Sequence, residues 1–143
     1  MTDEAELRQN AMMLETAKAQ LEGLARQEEL IQLAIEEHVR ARETVKKLIG
    51  GATGDEIMVP VGADSYVFAK TSENKDVVVG IGSGVSVQRK PEEAEKILDN
   101  KIEELSQAFK KVSDRAGQTE AMIQELTDKV QEQYSQLQAS AQR

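Results

Sequence analysis

Three regularly spaced glycines, Gly80, Gly82 and Gly84, come nearest to a chemical motif in this sequence. Backbone amides of glycine-rich loops cradle phosphates, but nucleotide loops require G-x-G-x-x-G or a Lys followed by Ser or Thr. The spacing is G-x-G-x-G, and no such Lys follows it. We therefore interpret these glycines as turn residues and predict that the chain uses no cofactor.

Acid–base and metal chemistry have few other candidates. The only histidine is His38, and Asp64 and Ser65 lie in a different kind of segment, which disfavours a triad. Three glutamate pairs fit a solvated helical surface better than a metal pocket: Glu28-Glu29, Glu36-Glu37 and Glu103-Glu104. The absence of Cys removes thiol catalysis, disulfides and Cys-based zinc sites. We predict that the chain is not an enzyme and has no catalytic, cofactor-binding or metal residues.

Composition favours long helices over a compact globule. The 143 residues include four aromatics and no Trp, while 31% are charged and 39% are hydrophobic. The formal net charge of −8 disfavours nucleic acid and anionic membranes as partners. No apolar run approaches the roughly 20 residues of a membrane span, and no segment resembles a signal peptide. We expect a cytoplasmic protein.

Glycine and proline divide the chain into three segments. Seven of the nine glycines and both prolines fall within or just after the middle third. The flanks are rich in Glu, Gln, Ala, Leu and Lys, which favour helix. We predict an N-terminal coiled-coil helix over 1–50, a double β-hairpin assembly element over 55–90 and a C-terminal coiled-coil helix over 91–143.

Each flank carries a heptad seam, defined as positions a and d of a seven-residue repeat. In the first seam, with a positions counted from Leu7, nine of thirteen residues are apolar. In the second, counted from Glu95, ten of fourteen are apolar. Seams sustained over this length predict coiled-coil helices. Gly50-Gly51 should end the first helix, and Pro91 should lie in the first turn of the second.

The two helices are predicted to pair antiparallel within one chain. The insert joins their near ends, so the pairing requires only one loop closure, whereas a parallel homodimer is the alternative for each seam alone. Partner residue numbers then sum to about 144, which places Leu7 opposite Leu137 and brings the termini together at a tip. The polar seam residues of the first helix are interpreted as register devices, with tolerated defects as the alternative. They are Asn10, Glu28, His38 and Arg42.

The middle segment predicts two β-hairpins. Residues 57–88 contain eight of the twelve valines, in short runs separated by turn residues. The expected strands cover 57–60, 66–70, 77–81 and 85–88, and the polar residues 71–76 are expected to form a solvated turn between the hairpins.

Two short hairpins have open edges, and no helix is expected to cover them while the helices pair with each other. The insert is therefore predicted to assemble with strands of partner subunits. The residues expected to contribute are Val59, Val61, Tyr66, Phe68, Val77, Val79, Ile81, Val85 and Val87.

The hairpin sequences also carry a family resemblance. The runs VPVGADSYV from Val59 and VGIGSGVSV from Val79, followed by the helix start PEEA at Pro91, resemble the α class of prefoldin subunits. That class has an apolar-Pro-apolar-Gly-Ala-Gly-Ser-aromatic first hairpin and a Val-Gly-x-Gly-rich second hairpin. Asp64 stands where the class usually has Gly, and Asp tolerates left-handed conformations, so we expect the turn to persist. The β class has only one hairpin, which favours the α class.

The resemblance implies an α+β fold, with a long antiparallel two-helix coiled coil and two central β-hairpins that form an oligomeric β-barrel body. It implies a heterohexamer of two alpha and four beta prefoldin subunits. The implied function is that of a chaperone subunit that binds unfolded polypeptides without ATP and transfers them to a group II chaperonin. The alternative is a structural coiled-coil spacer or tethering subunit with one fixed partner, and suppression of aggregation of unrelated proteins would distinguish the two.

The tip of the coiled coil is the predicted site for unfolded polypeptides. Met12 and Met13 fall at heptad positions f and g, which face away from the seam, and exposed methionines suit a surface that adapts to many sequences. A frayed helix end with leftover apolar residues is the alternative. The residues expected to bind polypeptide are Leu7, Met12, Met13, Leu14, Val130, Tyr134 and Leu137.

Overall fold

The computed structural model describes residues 4–142 and contains two long helices separated by two β-hairpins. The predicted α+β class is therefore confirmed, although residues 1–3 and 143 of the predicted helices lie outside the described residues. The elements are α1 (Glu4–Leu48), β1 (Glu56–Gly62), β2 (Ser65–Lys70), β3 (Val77–Gly82), β4 (Val85–Arg89) and α2 (Pro91–Ala141).

The inner ends of both helices have the expected chemistry. Helix α1 ends at Leu48, and Gly50 follows in the left-handed region with φ of 72°. Lys46 and Lys47 occupy its last turn, where cations interact favourably with the helix dipole. Helix α2 begins at Pro91, and acidic residues occupy its first turn.

The chain divides into two compact units. The first comprises residues 4–30 and 109–142 of the described chain. Gln9 and Met13 of α1 line one groove with Met122, whereas Gln27, further along α1, lines another with Arg115. Residue numbers therefore rise along α1 while they fall along α2, so the two stretches run antiparallel. The buried apolar residues of this unit are Leu14, Ala17, Leu24, Ala116 and Leu126.

A buried hydrogen bond fixes the register of the first unit. The side-chain amide nitrogen of Asn10 donates to Oε1 of Gln133 over 3.0 Å. Both residues are buried, which is unusual for amide side chains unless they are paired. Their residue numbers sum to 143, close to the sum predicted for antiparallel partners.

The second unit, residues 31–108, contains the hairpins and a small core. Val79 of β3 is buried with Val45 of α1 and with Ala94 and Leu98 of α2. The expectation that no helix covers the hairpins was wrong for the second hairpin. The inner turns of the two helices carry small residues such as Ala41 and Ala94, which leave room for a strand to pack on the pair.

Both hairpins have the same local geometry, displaced by twenty residues. Each register shifts by one residue before the turn, between Pro60 and Gly62 in the first hairpin and between Gly80 and Gly82 in the second. Each shift is a β-bulge, which increases the local twist.

Two-residue turns with positive φ close both hairpins. In the first, Ala63 has φ of 51° and Asp64 has φ of 55°; in the second, Ser83 has φ of 54° and Gly84 has φ of 74°. Positive φ at both central residues is the signature of the type I′ turn that suits the twist of hairpin strands. The expected tolerance of Asp64 for a left-handed turn is confirmed.

Four of the six residues between the hairpins are exposed, in agreement with the predicted solvated segment, and the other two contact the loop after α1. Thr71 is half-buried and exchanges hydrogen bonds with the loop after α1: its Oγ1 donates to the Ala52 carbonyl over 2.9 Å, and its backbone nitrogen donates to the Asp55 carbonyl over 2.9 Å. The Lys75 ammonium group also donates to the Gly51 carbonyl. These bonds join the loop before the first hairpin to the segment after it. Loop amides and carbonyls require such partners when strands do not pair them.

The heptad seams describe helix burial well. None of the thirteen seam residues of the first helix is exposed, and Ser140 is the only exposed seam residue of the second within the described range. Two further polar seam residues have partners in the second unit. His38 Nδ1 lies 2.7 Å from the Ala34 carbonyl, and Arg42 contacts Asp99 of α2 at 3.1 Å.

Candidate functional site

A groove whose lining residues within the described range 4–142 are all uncharged lies on the surface of the first unit. It contains three methionines, two from α1 and one from α2, although 31% of the chain's residues are charged. An apolar surface of this kind, left open on a charged molecule, is typical of a binding site. The lining residues are Gln9, Met12, Met13, Thr16, Ala17, Gln20 and Met122.

The heptad pattern explains why these methionines are exposed. Met13 and Met122 both occupy position g, which borders one flank of an antiparallel helix pair, and Met12 lies beside Met13 at position f. Met12 is 66% exposed, and Met13 and Met122 are each 48% exposed. Because methionine side chains are flexible and polarizable, this groove can fit apolar side chains of different shapes.

The structure brings only two of the seven predicted polypeptide-binding residues into this groove, namely Met12 and Met13. Leu14 is buried, and Leu7, Val130 and Leu137 are half-buried at seam positions. Tyr134 is exposed but does not line the groove, and its hydroxyl accepts a hydrogen bond from Gln138 over 3.1 Å.

Met122 is a groove residue that the sequence prediction missed. That prediction considered residues near the chain ends, and Met122 lies about twenty residues from the C-terminus. The available signal was its heptad position, because g residues of the two helices border the same flank of an antiparallel pair.

The hairpins present a second exposed apolar surface. Each hairpin is a separate two-stranded sheet, so both of its outer strand edges lack a third strand within the described chain. A soluble monomer rarely exposes so much apolar surface on such small sheets. The exposed large apolar residues of the two hairpins are Met58, Val61, Tyr66, Val67, Phe68, Val78, Ile81 and Val85.

The structure distributes the predicted assembly residues over different environments. The exposed ones are Val61, Tyr66, Phe68, Ile81 and Val85, whereas Val59, Val77 and Val87 are half-buried. Val79 is buried in the core of its own unit, and the neighbouring Val78, which was not among the predicted residues, is 70% exposed. On β3, the exposed apolar side chains are therefore those of Val78 and Ile81.

The polar groups near the hairpins form surface contacts. Arg40 of α1 lies 4.0 Å from Asp64 in the first hairpin's turn and 4.0 Å from Glu36 on its own helix. Exposed ion pairs of this length contribute little to stability. Across residues 4–142, no three His, Asp or Glu side chains are grouped so that they could hold a metal ion.

Over the part of the chain that the structure describes, neither α1 nor α2 contains a stretch long and apolar enough to span a membrane.

Known proteins resemble this chain along most of its length. A family model described as "Prefoldin subunit" matches residues 17–143. The chain is 34% identical over 110 residues to Prefoldin subunit alpha of Methanothrix thermoacetophila, which covers 77% of this chain and 72% of the relative. It is 33% identical over 128 residues to Prefoldin subunit alpha of Pyrococcus horikoshii, which covers 89% of this chain and 86% of that relative.

A solved structure has the same fold. A chain in the cryo-EM structure of filamentous PFD from Methanocaldococcus jannaschii is 26% identical to this chain and matches it with a TM-score of 0.62. The match covers 80% of this chain and 95% of that one. The chain therefore belongs to the alpha class of the prefoldin family, whose members are chaperone subunits and not enzymes.

Proposed function

We propose that this chain holds unfolded polypeptides through the methionine groove of its first unit, without ATP, as one subunit of a hetero-oligomeric chaperone. The observation that carries the proposal is the uncharged groove of Met12, Met13 and Met122 on a highly charged chain. Such a groove binds apolar side chains weakly and with little sequence preference. Several grooves in one assembly would raise the overall affinity through multivalency.

The exposed hairpins support assembly with other subunits. Each hairpin has two open strand edges and exposed apolar side chains, and added strands would satisfy both. We propose that two copies of this chain join four beta-class subunits, whose hairpins complete a β-barrel body. Val61, Phe68 and Val78 are the most exposed apolar side chains available for that contact.

The family relationship supports a proposal for the compartment and for a further partner. We propose that the assembled chaperone is cytoplasmic and transfers its polypeptides to a group II chaperonin. Support comes from the similarity to archaeal alpha subunits along most of the chain. Transfer requires weak, reversible binding, and a shallow methionine surface provides it better than an enclosed pocket.

Co-expression with a beta-class subunit tests the assembly. We expect a complex whose native mass equals two copies of this chain plus four of the partner. The same complex should suppress aggregation of several unrelated denatured proteins, in buffer without nucleotide. A homogeneous monomer that ignores the partner would contradict the assembly, and binding of a single fixed protein would favour a tethering subunit instead.

Replacing Met12 and Met13 by Gln tests the groove. We expect the complex concentration needed for half-maximal suppression of aggregation to rise about tenfold, because each substitution removes apolar surface from the contact. The assembly mass should not change, since both side chains are exposed in the first unit and the hairpins belong to the second.

Leu30→Gln is the matched control. Leu30 is 67% exposed on the same helix but does not line the groove. This variant should suppress aggregation as well as the unmodified chain. An equal loss in both variants would show that general surface hydrophobicity, and not the groove, holds the polypeptide.

A further inference from the structure

Most of the described methionine thioethers of this chain lie at the groove. The chain has five methionines and no cysteine, so the thioethers are its only sulfur groups. All four methionines within residues 4–142 are exposed, and three of them line the same groove. The fourth, Met58, lies in the first hairpin.

Exposure makes these thioethers accessible to oxidants. A hydroperoxide can approach Met12, Met13 and Met122 from solvent, whereas buried thioethers are shielded. In the reaction, a sulfur lone pair attacks the terminal peroxide oxygen, the O–O bond breaks and an S–O bond forms. Sulfur loses two electrons, and hydrogen peroxide is reduced to water.

We propose that Met12, Met13 and Met122 form an oxidation site at which conversion to methionine sulfoxide releases bound polypeptide. This inference rests on the proposed holding function of the groove. Oxidation replaces an apolar thioether sulfur by a polar S=O group. An apolar polypeptide segment that covers this group removes it from water, and this desolvation weakens binding.

The remaining groove residues offer the new oxygen only neutral hydrogen-bond donors. The Thr16 hydroxyl already donates to the Met12 carbonyl over 3.0 Å, and Ala17 has no polar side-chain group, so the side-chain amides of Gln9 and Gln20 are the donors that remain. Among residues 4–142 no charged side chain lines the groove, so the sulfoxide gains no charge-assisted hydrogen bond there when polypeptide covers it. Enzymatic reduction of the sulfoxide restores the thioether, which makes the change reversible.

The experiment treats the full-length chain with hydrogen peroxide, removes the peroxide and assembles the chain with untreated beta-class partner. Peptide mass mapping follows the gain of one oxygen at each methionine. A reduced and alkylated small protein serves as the unfolded probe. We expect the probe concentration for half-maximal binding to rise about fivefold after oxidation, and methionine sulfoxide reductase to restore the original value.

Two variants assign the effect. Substitution of Met12, Met13 and Met122 by Leu keeps the groove apolar and helical but removes the sulfur, so peroxide should no longer weaken binding. Met58→Leu removes the hairpin thioether, and its binding should remain as sensitive to peroxide as that of the unmodified chain.

The outcomes separate this inference from the proposed function. Normal binding by a chain mapped as oxidised at all three groove positions would overturn the inference and leave the holding function intact. Equal peroxide sensitivity of the Leu variant would also overturn it. Failure of the untreated complex to bind the probe would overturn both.

Discussion

Val79→Asp is expected to separate the second hairpin from the helices and to lower the free energy of unfolding by about 3 kcal/mol or more. Val79 is 6% exposed and packs against Val45, Ala94 and Leu98. An Asp at this position would place a carboxyl group among apolar side chains that offer no hydrogen bond. Urea denaturation followed by circular dichroism gives the change in stability, and amide hydrogen exchange in β3 and β4 shows whether the hairpin opens.

Val78→Asp provides the control because it makes the same substitution one residue away on the opposite face of β3. Val78 is 70% exposed, so the free energy of unfolding of the isolated chain should change by about 0.5 kcal/mol or less. Assembly with a beta-class partner should nevertheless weaken, because a charge would enter the proposed contact. Equal destabilisation by the two variants would contradict the packing of Val79.

The alternation of side chains along β3 was predictable from the sequence, but the face that packs against the helices was not. A period of two places Val77 and Val79 on one face and Val78 on the other, and the structure agrees. Sequence alone did not show which face meets the helices, because all three residues are valine. The choice depends on the space left by Ala41 and Ala94, which is a tertiary property.

The helices were more predictable than the groove. Leucine and alanine at a and d positions identify the buried faces because a coiled coil repeats one contact along its length. Met122 escaped prediction because its contribution depends on the pairing of two distant segments. Positive φ at Asp64 was predictable from local chemistry because Asp tolerates the left-handed region, whereas positive φ at Ala63 was not predicted.

Replacing Gln133 by Leu is expected to destabilise the first unit, whereas replacing both Asn10 and Gln133 by Leu should restore or exceed the original stability. Asn10 is 8% exposed and Gln133 is 5% exposed, and each supplies the other's hydrogen bond. The single change leaves the Asn10 amide buried without that partner, at a cost of about 1–3 kcal/mol. The double change leaves an apolar layer, and urea denaturation of the unmodified chain, Asn10→Leu, Gln133→Leu and the double variant gives the coupling energy.

Gln124→Leu is the matched control because Gln124 is exposed on the same helix, and its side-chain amide donates to Asp128 on that helix over 3.1 Å. Its effect on the free energy of unfolding should be about 0.5 kcal/mol or less.

The buried pair of Asn10 and Gln133 also opposes other alignments of the two helices, since slipping the helices would leave both amides buried without partners. The double Leu variant should therefore form mixed oligomers by native mass measurement even though its stability is restored or exceeded. A uniform species with the original assembly would show that the pair does not specify register.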